Sequence, residues 1–300
     1  MTNSHPALPR FDYIRPASLE EASRFLSLHP DDARPFLGGT DIFVRLRDGN
    51  LRLKFLVDLK SLPGLNELNF NLQSGLRIGS AVNLNRVISH SDVQKYYPLL
   101  AEAASAVASY QLRTRATMVG NICNASPAGD TLGAALLYHG ALTIYSQKGA
   151  RETPLADFFL GPGETCLQAG EIVTSIQFPL PPQKHQTKYI KLGRNVISDL
   201  SIVGVAVMGY PNPTSKSGYC FHIALASVAP IPLIPKLAEE ILSNKAITKT
   251  TVKEAAQAAS DACKPIDDVR ASAEYRKAMI HNLTRQAVLE VWQRLQKNRP

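Results

Sequence analysis

Between Gln111 and Asp130 the chain runs QLRTRATMVGNICNASPAGD. Leading into it, a run from Pro98 through Leu99, Leu100, Ala103 and Val107 to Ser109 carries apolar residues at helical spacing behind a proline suited to a first turn. The periodicity then ceases. Thr117, Asn121, Asn124, Ser126 and Asp130 alternate with Gly120, Pro127, Gly129 and small apolar residues, a composition that predicts a loop. Such a segment is costly to bury unless its polar groups find partners. A diphosphate-bearing cofactor supplies them, since phosphates accept from amides and hydroxyls while ribose hydroxyls donate to a carboxylate.

A second polar loop lies upstream, where Phe36-Leu37-Gly38-Gly39-Thr40-Asp41-Ile42 follows the turn around Asp31 and Asp32. The glycine pair lets the backbone reach positive φ and approach a ligand, and consecutive amides in such a turn form an anion nest. Taken alone, a glycine pair is ordinary turn chemistry.

From Phe11 to about Pro179 the chain resembles the flavoprotein (medium, M) subunit of the molybdenum hydroxylases, the xanthine dehydrogenase and carbon monoxide dehydrogenase family. Members carry two loops of the type GGTDL and AT-x-GGN around the FAD diphosphate and adenosine. Here LGGTDI and ATMVGN stand in their places. NASPAGD, FFLGPGETCLQAGEIVTSIQFP, KYIKLGRNVISDLSIVGVAV and DVRASAEYR extend the likeness in order over nearly the whole chain.

Carried over position by position, the resemblance implies that Leu37, Gly38, Gly39, Thr40 and Asp41 wrap the diphosphate, and that Thr117, Gly120 and Asn121 complete the cradle. Asp130 matches the carboxylate that accepts from adenosine-side hydroxyls. Ala108 and Leu167 match positions flanking the isoalloxazine or its chain, and Lys191 and Leu200 match positions beside the ring. A cation there would stabilise the charge of a reduced flavin. Val119 departs from the two-glycine pattern, and its Cβ disfavours positive φ. Plainer readings stand beside these: Lys191 as a solvated strand-edge charge, Asp130 as the cap of a helix Thr131 to His139, and Tyr110 and Tyr189 as core aromatics.

Three hundred residues with 45% hydrophobic content suffice for two domains with real cores. The apolar stretches around 132–145 and 200–208 fall short of a membrane span, and MTNSHPALPRFDY lacks the apolar segment of a secretory signal, so a cytoplasmic protein is expected. Cys123, Cys166, Cys220 and Cys263 form no CxxC, and the seven histidines are scattered, so no metal of the chain's own is expected. No G-x-S-x-G or G-x-G-x-x-G is present, which argues against that type of hydrolase and a Rossmann domain. The net charge of +8 raises a nucleic-acid reading, but the basic residues are spread out, and Arg276, Lys277, Arg285 and Arg294 are mixed with Glu274 and Glu290. An anionic cofactor or acidic partner fits better.

The expected fold class is α+β. A helix from Ser18 to Leu28 buries Leu19, Ala22, Phe25 and Leu26, with strands at Phe55–Leu59, Leu76–Ala81 and Ala141–Ser146. The prolines at 179, 181 and 182 mark a boundary. Beyond it, Tyr189–Met208 and Tyr219–Ala229 read as antiparallel strands, followed by helices from near Lys236, Thr251 and Ser272. The last presents Tyr275, Met279, Leu283, Ala287, Val291 and Leu295 as a stripe toward the sheet. The resemblance implies a two-subdomain FAD-binding domain of vanillyl-alcohol-oxidase (PCMH) type over 1–180, then a smaller sheet-and-helix domain over 184–300.

The resemblance further implies an oxidoreductase subunit holding non-covalent FAD beside a [2Fe-2S] small subunit and a molybdopterin large subunit, with NAD+, oxygen or another acceptor. Two other readings compete with it. One is a free-standing FAD-dependent oxidoreductase with its own small substrate; the other is a flavin-free assembly subunit, for which Val119 is the hint.

Overall fold

The structure is a computed structural model that describes residues 8–195 and 199–297. Val196, Ile197 and Ser198 of the KYIKLGRNVISDLSIVGVAV motif lie outside the described residues, as do the first seven residues of the segment read for a signal.

The chain opens with β1 (Asp12–Ile14), α1 (Leu19–Leu28), β2 (Ala33–Phe36), α2 (Ile42–Arg47) and β3 (Phe55–Asp58). Ser18 starts α1 where expected, its hydroxyl accepting from the Glu21 amide at 3.1 Å while Glu21 accepts from the Ala17 amide at 2.7 Å. Ala22 and Leu26 are buried, with Leu19 and Phe25 packed against them. β3 lies between β1 and β2 and runs parallel to both. The glycine loop therefore leaves the carboxyl end of a parallel strand, the edge at which open α/β sheets bind ligands.

Next come β4 (Leu68–Asn71), β5 (Gly75–Gly79), α3 (Leu84–Ser89), α4 (Ser91–Tyr96), α5 (Pro98–Ser105), α6 (Tyr110–Arg113), α7 (Met118–Asn124) and α8 (Asp130–Leu137). They are followed by β6 (Ala141–Ser146), β7 (Gly149–Pro154), a short hairpin of β8 (Phe159–Gly161) and β9 (Glu164–Thr165), and β10 (Ile172–Phe178). The five-stranded antiparallel sheet has the order β4-β5-β10-β6-β7. Leu142 and Ile144 of β6 face its core, as the alternation predicted.

The stretch from Gln111 to Asp130 is not the loop that its composition suggested. It holds the end of α6 and all of α7, and the helix expected to run to Ser109 stops at Ser105. Both short helices start on hydroxyl caps: Ser109 accepts from Leu112 at 3.3 Å and Thr117 from Gly120 at 2.9 Å. A seven-residue helix is unstable alone. Burial of Met118, Val119 and Ile122, at roughly 1.5–3 kcal/mol each, decides the matter. Val119 sits in right-handed helix, so no positive φ is asked of it.

The last unit comprises β11 (Gln186–Leu192), β12 (Val203–Pro211), β13 (Tyr219–Ala226), α9 (Lys236–Asn244), α10 (Lys249–Ala262) and α11 (Ala273–Lys297). The stretch Tyr189–Met208, read as strand, is two strands, β11 and β12, paired antiparallel. Between them Asp199 accepts from the amides of Arg194 and Asn195 at 2.7 and 3.2 Å. One sheet face packs Val203, Val205, Val207, Phe221 and Ile223 on α11 residues Ile280, Val288 and Val291. The other face sets Ala206 and Ala224 against α8, where a Cβ on Gly133 would come within 3.3 Å of Ala224 Cβ.

The α11 stripe is rotated at its start. Arg276, Ile280 and Thr284 are buried, whereas Tyr275 is 45% exposed. Arg276 can turn inward because it donates to the carbonyls of Ile202 and Ser227 at 2.8 and 3.0 Å and to Asp268 at 2.6 Å. Ala287, Val291 and Leu295 keep to the expected side.

Candidate functional site

Loop one, Leu37 to Asp41, is shaped by contact. A Cβ on Gly38 would lie 2.3 Å from the Arg115 carbonyl oxygen, so the residue must be glycine for the two loops to touch. Gly39 holds φ +78°, and a Cβ there would meet the Phe43 ring at 2.6 Å. Among the described residues, the amides of Gly38, Gly39 and Thr40 donate to no acceptor. Leu37 packs into the small parallel-sheet core, and the Thr40 hydroxyl leans to Asp41 at 3.3 Å. Behind the loop, Lys60 Nζ sits 3.7 Å from the centre of the Phe36 ring and pairs with Asp58 at 2.7 Å, bracing the strand that delivers the glycines.

Loop two meets loop one directly. Asn124 Nδ2 donates to Asp41 Oδ1 at 3.1 Å, tying the two together. Thr117 is buried, and its hydroxyl oxygen takes the Gly120 amide, leaving its own proton free to donate. A Cβ on Gly120 would lie 2.8 Å from that oxygen. Asn121 is locked by Thr131, which donates to its Oδ1 at 2.6 Å. The Gly163 amide donates to Ala125 at 2.9 Å, which brings the β8-β9 hairpin alongside.

Asp130 begins α8 and is 6% exposed. It does not cap that helix through its side chain: Gly129 holds the cap position. Instead Tyr189 and Ser201 donate to its Oδ1 at 2.8 and 2.6 Å, and Lys191 to its Oδ2 at 2.7 Å. Lys191 also donates to the Ala106 carbonyl at 2.9 Å, and its side chain is 14% exposed, so it is no solvated edge charge. Burial first, and then the Asp130 charge, push the Tyr189 phenol well above its ordinary range, keeping it a donor. Tyr189 is a core aromatic with a polar task, while Tyr110 is 65% exposed and is not core at all.

Ala108 holds φ +41° in the turn after α5, clamped by Arg113, which donates to the carbonyls of Ser105 and Val107 at 2.9 and 2.8 Å. Leu167 follows the hairpin and packs on the main core. Leu200 is 61% exposed, directly before the Ser201 that reaches Asp130. Apart from Ala108, Leu167 and Leu200, the sequence-derived residues fall into two linked groups: the touching loops with Asn121, and the Asp130 cluster joined to them through Thr131. Thr131, Asn124 and Ser201 were not foreseen as site residues. Asn124 and Ser201 were signalled only by lying inside the quoted motifs, and Thr131 only as the start of the expected helix to His139.

The arrangement fits a dinucleotide. It offers unsatisfied amides at a left-handed glycine, a close approach that only glycine allows, and a neutralised ion pair farther along. No three His, Cys, Asp or Glu residues are grouped to hold a metal ion among the described residues, and the four cysteines are free thiols. No helix among the described residues is long and apolar enough to cross a membrane.

Comparisons with known proteins place the chain in a family. Residues 9–181 match the family described as FAD binding domain in molybdopterin dehydrogenase, and residues 188–291 match the CO dehydrogenase flavoprotein C-terminal domain. The chain is 31% identical to the xanthine dehydrogenase FAD-binding subunit of Escherichia coli O157:H7, over 93% of this chain and 94% of that one. It is 32% identical to the carbon monoxide dehydrogenase medium chain of Hydrogenophaga pseudoflava, over 95% of this chain and 98% of that one. A solved structure of the carbon monoxide dehydrogenase from the same organism superposes with a TM-score of 0.91, covering 96% of this chain and 99% of its counterpart.

Proposed function

The chain belongs to the FAD-binding subunit family of the molybdenum hydroxylases, and from that premise we propose an electron-transfer role between a [2Fe-2S] partner subunit and NAD+, oxygen or another acceptor. The family is one of oxidoreductases, and the chain carries its FAD-binding domain. Metal cofactors belong to the other subunits, and we assign the molybdopterin and the oxidised substrate to a large partner subunit.

FAD supplies the capacity to take and give electrons singly or in pairs. The chain supplies position. In this reading the Gly38–Thr40 amides hold the diphosphate, Leu37 and Asp41 flank it, and the Thr117 hydroxyl, Gly120 and Asn121 complete the cradle. Ala108, Leu167 and Leu200 border the ring or its chain. The observation that carries the reading is the pair of touching loops, where Gly38 meets Arg115 and the amides of Gly38, Gly39 and Thr40 are left without a partner among the described residues.

Asp130 and Lys191 neutralise one another, so we assign Lys191 to orienting Asp130 rather than to supplying a lone cation. The Asp130 lone pair left over by its three bonds remains for a ribose or ribityl hydroxyl. We take the flavin as non-covalent: burial pushes the Cys123 thiol in α7 up to about 12, which makes it a poor nucleophile. The free thiols favour a reducing, cytoplasmic setting. Residues 1–180 form the flavin domain and 184–300 the smaller domain in this proposal.

Reduction kinetics test it. The purified, flavin-loaded chain is expected to stay oxidised with small organic substrates and to be reduced only when a reduced [2Fe-2S] partner is added, with NADH titration reporting the acceptor. Direct reduction by a substrate would favour the free-standing oxidoreductase instead, and a colourless protein would favour an assembly subunit.

A further inference from the structure

At the far end of α8 from Asp130, β13 at the edge of the β11-β12-β13 sheet carries a polar cluster that the flavin site does not use. Cys220 and His222 lie two residues apart on β13, with side chains on one face. Cys220 Sγ is 3.5 Å from His222 Nε2, and Tyr210, the cross-strand partner of Cys220, places its hydroxyl 3.2 Å from the same nitrogen. His222 Nδ1 lies 3.6 Å from Glu239 Oε2 on α9, and the other Glu239 oxygen is fixed by the Ile223 amide at 2.8 Å. A cleft of about 330 Å³ opens over them, lined by Cys220, His222, Ile234, Lys236 and Glu239 among others.

We propose that Cys220 is a modification site for peroxides, its thiolate held by a His222 imidazolium that Glu239 orients. Sulfur, imidazole and carboxylate stand in the order of an activated nucleophile, with a path from solvent to the sulfur. His222 and Tyr210 act on the thiol in the same direction, and Glu239 in the opposite one. Burial opposes the thiolate, but the bonds from His222 and Tyr210 outweigh it and hold Cys220 below the ordinary thiol range. The contacts with Cys220 and Glu239 raise His222 to about 10. His139, whose ring stands 6.1 Å from that of His222, is lowered by burial and by the His222 charge, so the proton stays on His222. Lys236 at the cleft wall adds a cation, while Glu239 and Glu240 add the opposing charges.

In the reaction the thiolate attacks one peroxide oxygen, forming an S–O bond as the O–O bond breaks. Sulfur loses two electrons and the peroxide gains them. The departing hydroxide takes the His222 proton and leaves as water, giving a sulfenic acid beside neutral imidazole.

The test uses the full flavin-loaded chain. Iodoacetamide labelling read by peptide mass spectrometry from pH 5.5 to 9 is expected to modify Cys220 near pH 6.5 at least about tenfold faster than an ordinary thiol with pKa near 8.5. Hydrogen peroxide followed by dimedone is expected to mark Cys220 ahead of Cys123 and Cys263, whose thiols burial pushes up to about 12. His222→Gln is expected to return the labelling profile toward the ordinary thiol range, and Cys220→Ser to abolish the dimedone adduct while flavin is retained. The wild-type profile needs no variant. A Cys220 rate that rises only near pH 8.5, or a dimedone adduct absent from Cys220, overturns the proposal.

Discussion

Gly38→Ala is expected to give a folded chain that purifies with less of its yellow colour than wild type. The added methyl would lie 2.3 Å from a backbone oxygen, Arg115 O, which cannot swing aside as a side chain can. Relief requires the two loops to part, and overpacking of this kind costs about 1–3 kcal/mol. That cost falls on the cradle, so flavin affinity drops roughly tenfold to a hundredfold. The measurement is flavin absorbance per chain after gel filtration, with FAD titration to give the dissociation constant. Gly218→Ala serves as the control, since Gly218 lies far from loop one in sequence and a Cβ there meets nothing within 4 Å, leaving only the backbone strain of its φ of +77°. Equal flavin retention in both variants would remove the cradle from loop one.

Asp268→Ala acts on stability. It strips the carboxylate from Arg276, which is 1% exposed, and from Arg270, leaving a buried guanidinium on two carbonyls. Breaking such a pair from one side costs about 3 kcal/mol or more, seen as a lower urea midpoint with unchanged slope. The loss reaches the flavin site through the backbone, because Arg270 also holds the Ser201 carbonyl at 3.2 Å and the Ser201 hydroxyl holds Asp130.

Arg270, with help from Arg276, keeps the Asp268 carboxyl well below the usual carboxylate range in the folded state. A depressed folded value means that its stabilisation is complete above the unfolded value near 3.9 and is lost as pH falls below it. Wild type should therefore lose stability steeply below about pH 4, and Asp268→Ala should flatten that slope. A variant as stable as wild type with the same acid slope would contradict this.

The glycine loop was legible because its constraint is local: Gly39 needs positive φ, and the chain carries glycine there. The capped helix at Met118–Asn124 was not, since its Gly, Asn and Pro neighbours read as loop and only tertiary burial of Met118, Val119 and Ile122 pays for it. The Thr117 hydroxyl three residues before Gly120 was the available signal. Likewise, the apolar tone on both sides of Gly193-Arg194-Asn195 hid the break between β11 and β12.

Charged residues default to the surface in any single-sequence reading, so the inward Arg276 could not be found without its partners. Asp130 and Lys191 were both assigned to the cofactor site by resemblance, the first toward the adenosine side and the second beside the ring. That they bind each other, with Tyr189 and Ser201, depends on β11 and α8 packing across the boundary between the two units.

The most direct test is a crystal structure of the purified chain with FAD. The diphosphate oxygens should lie about 3 Å from the Gly38, Gly39 and Thr40 amides, with the ribityl chain passing the Asp130–Lys191 pair. A diphosphate bound elsewhere, or side chains filling the space between the loops, would contradict the cradle.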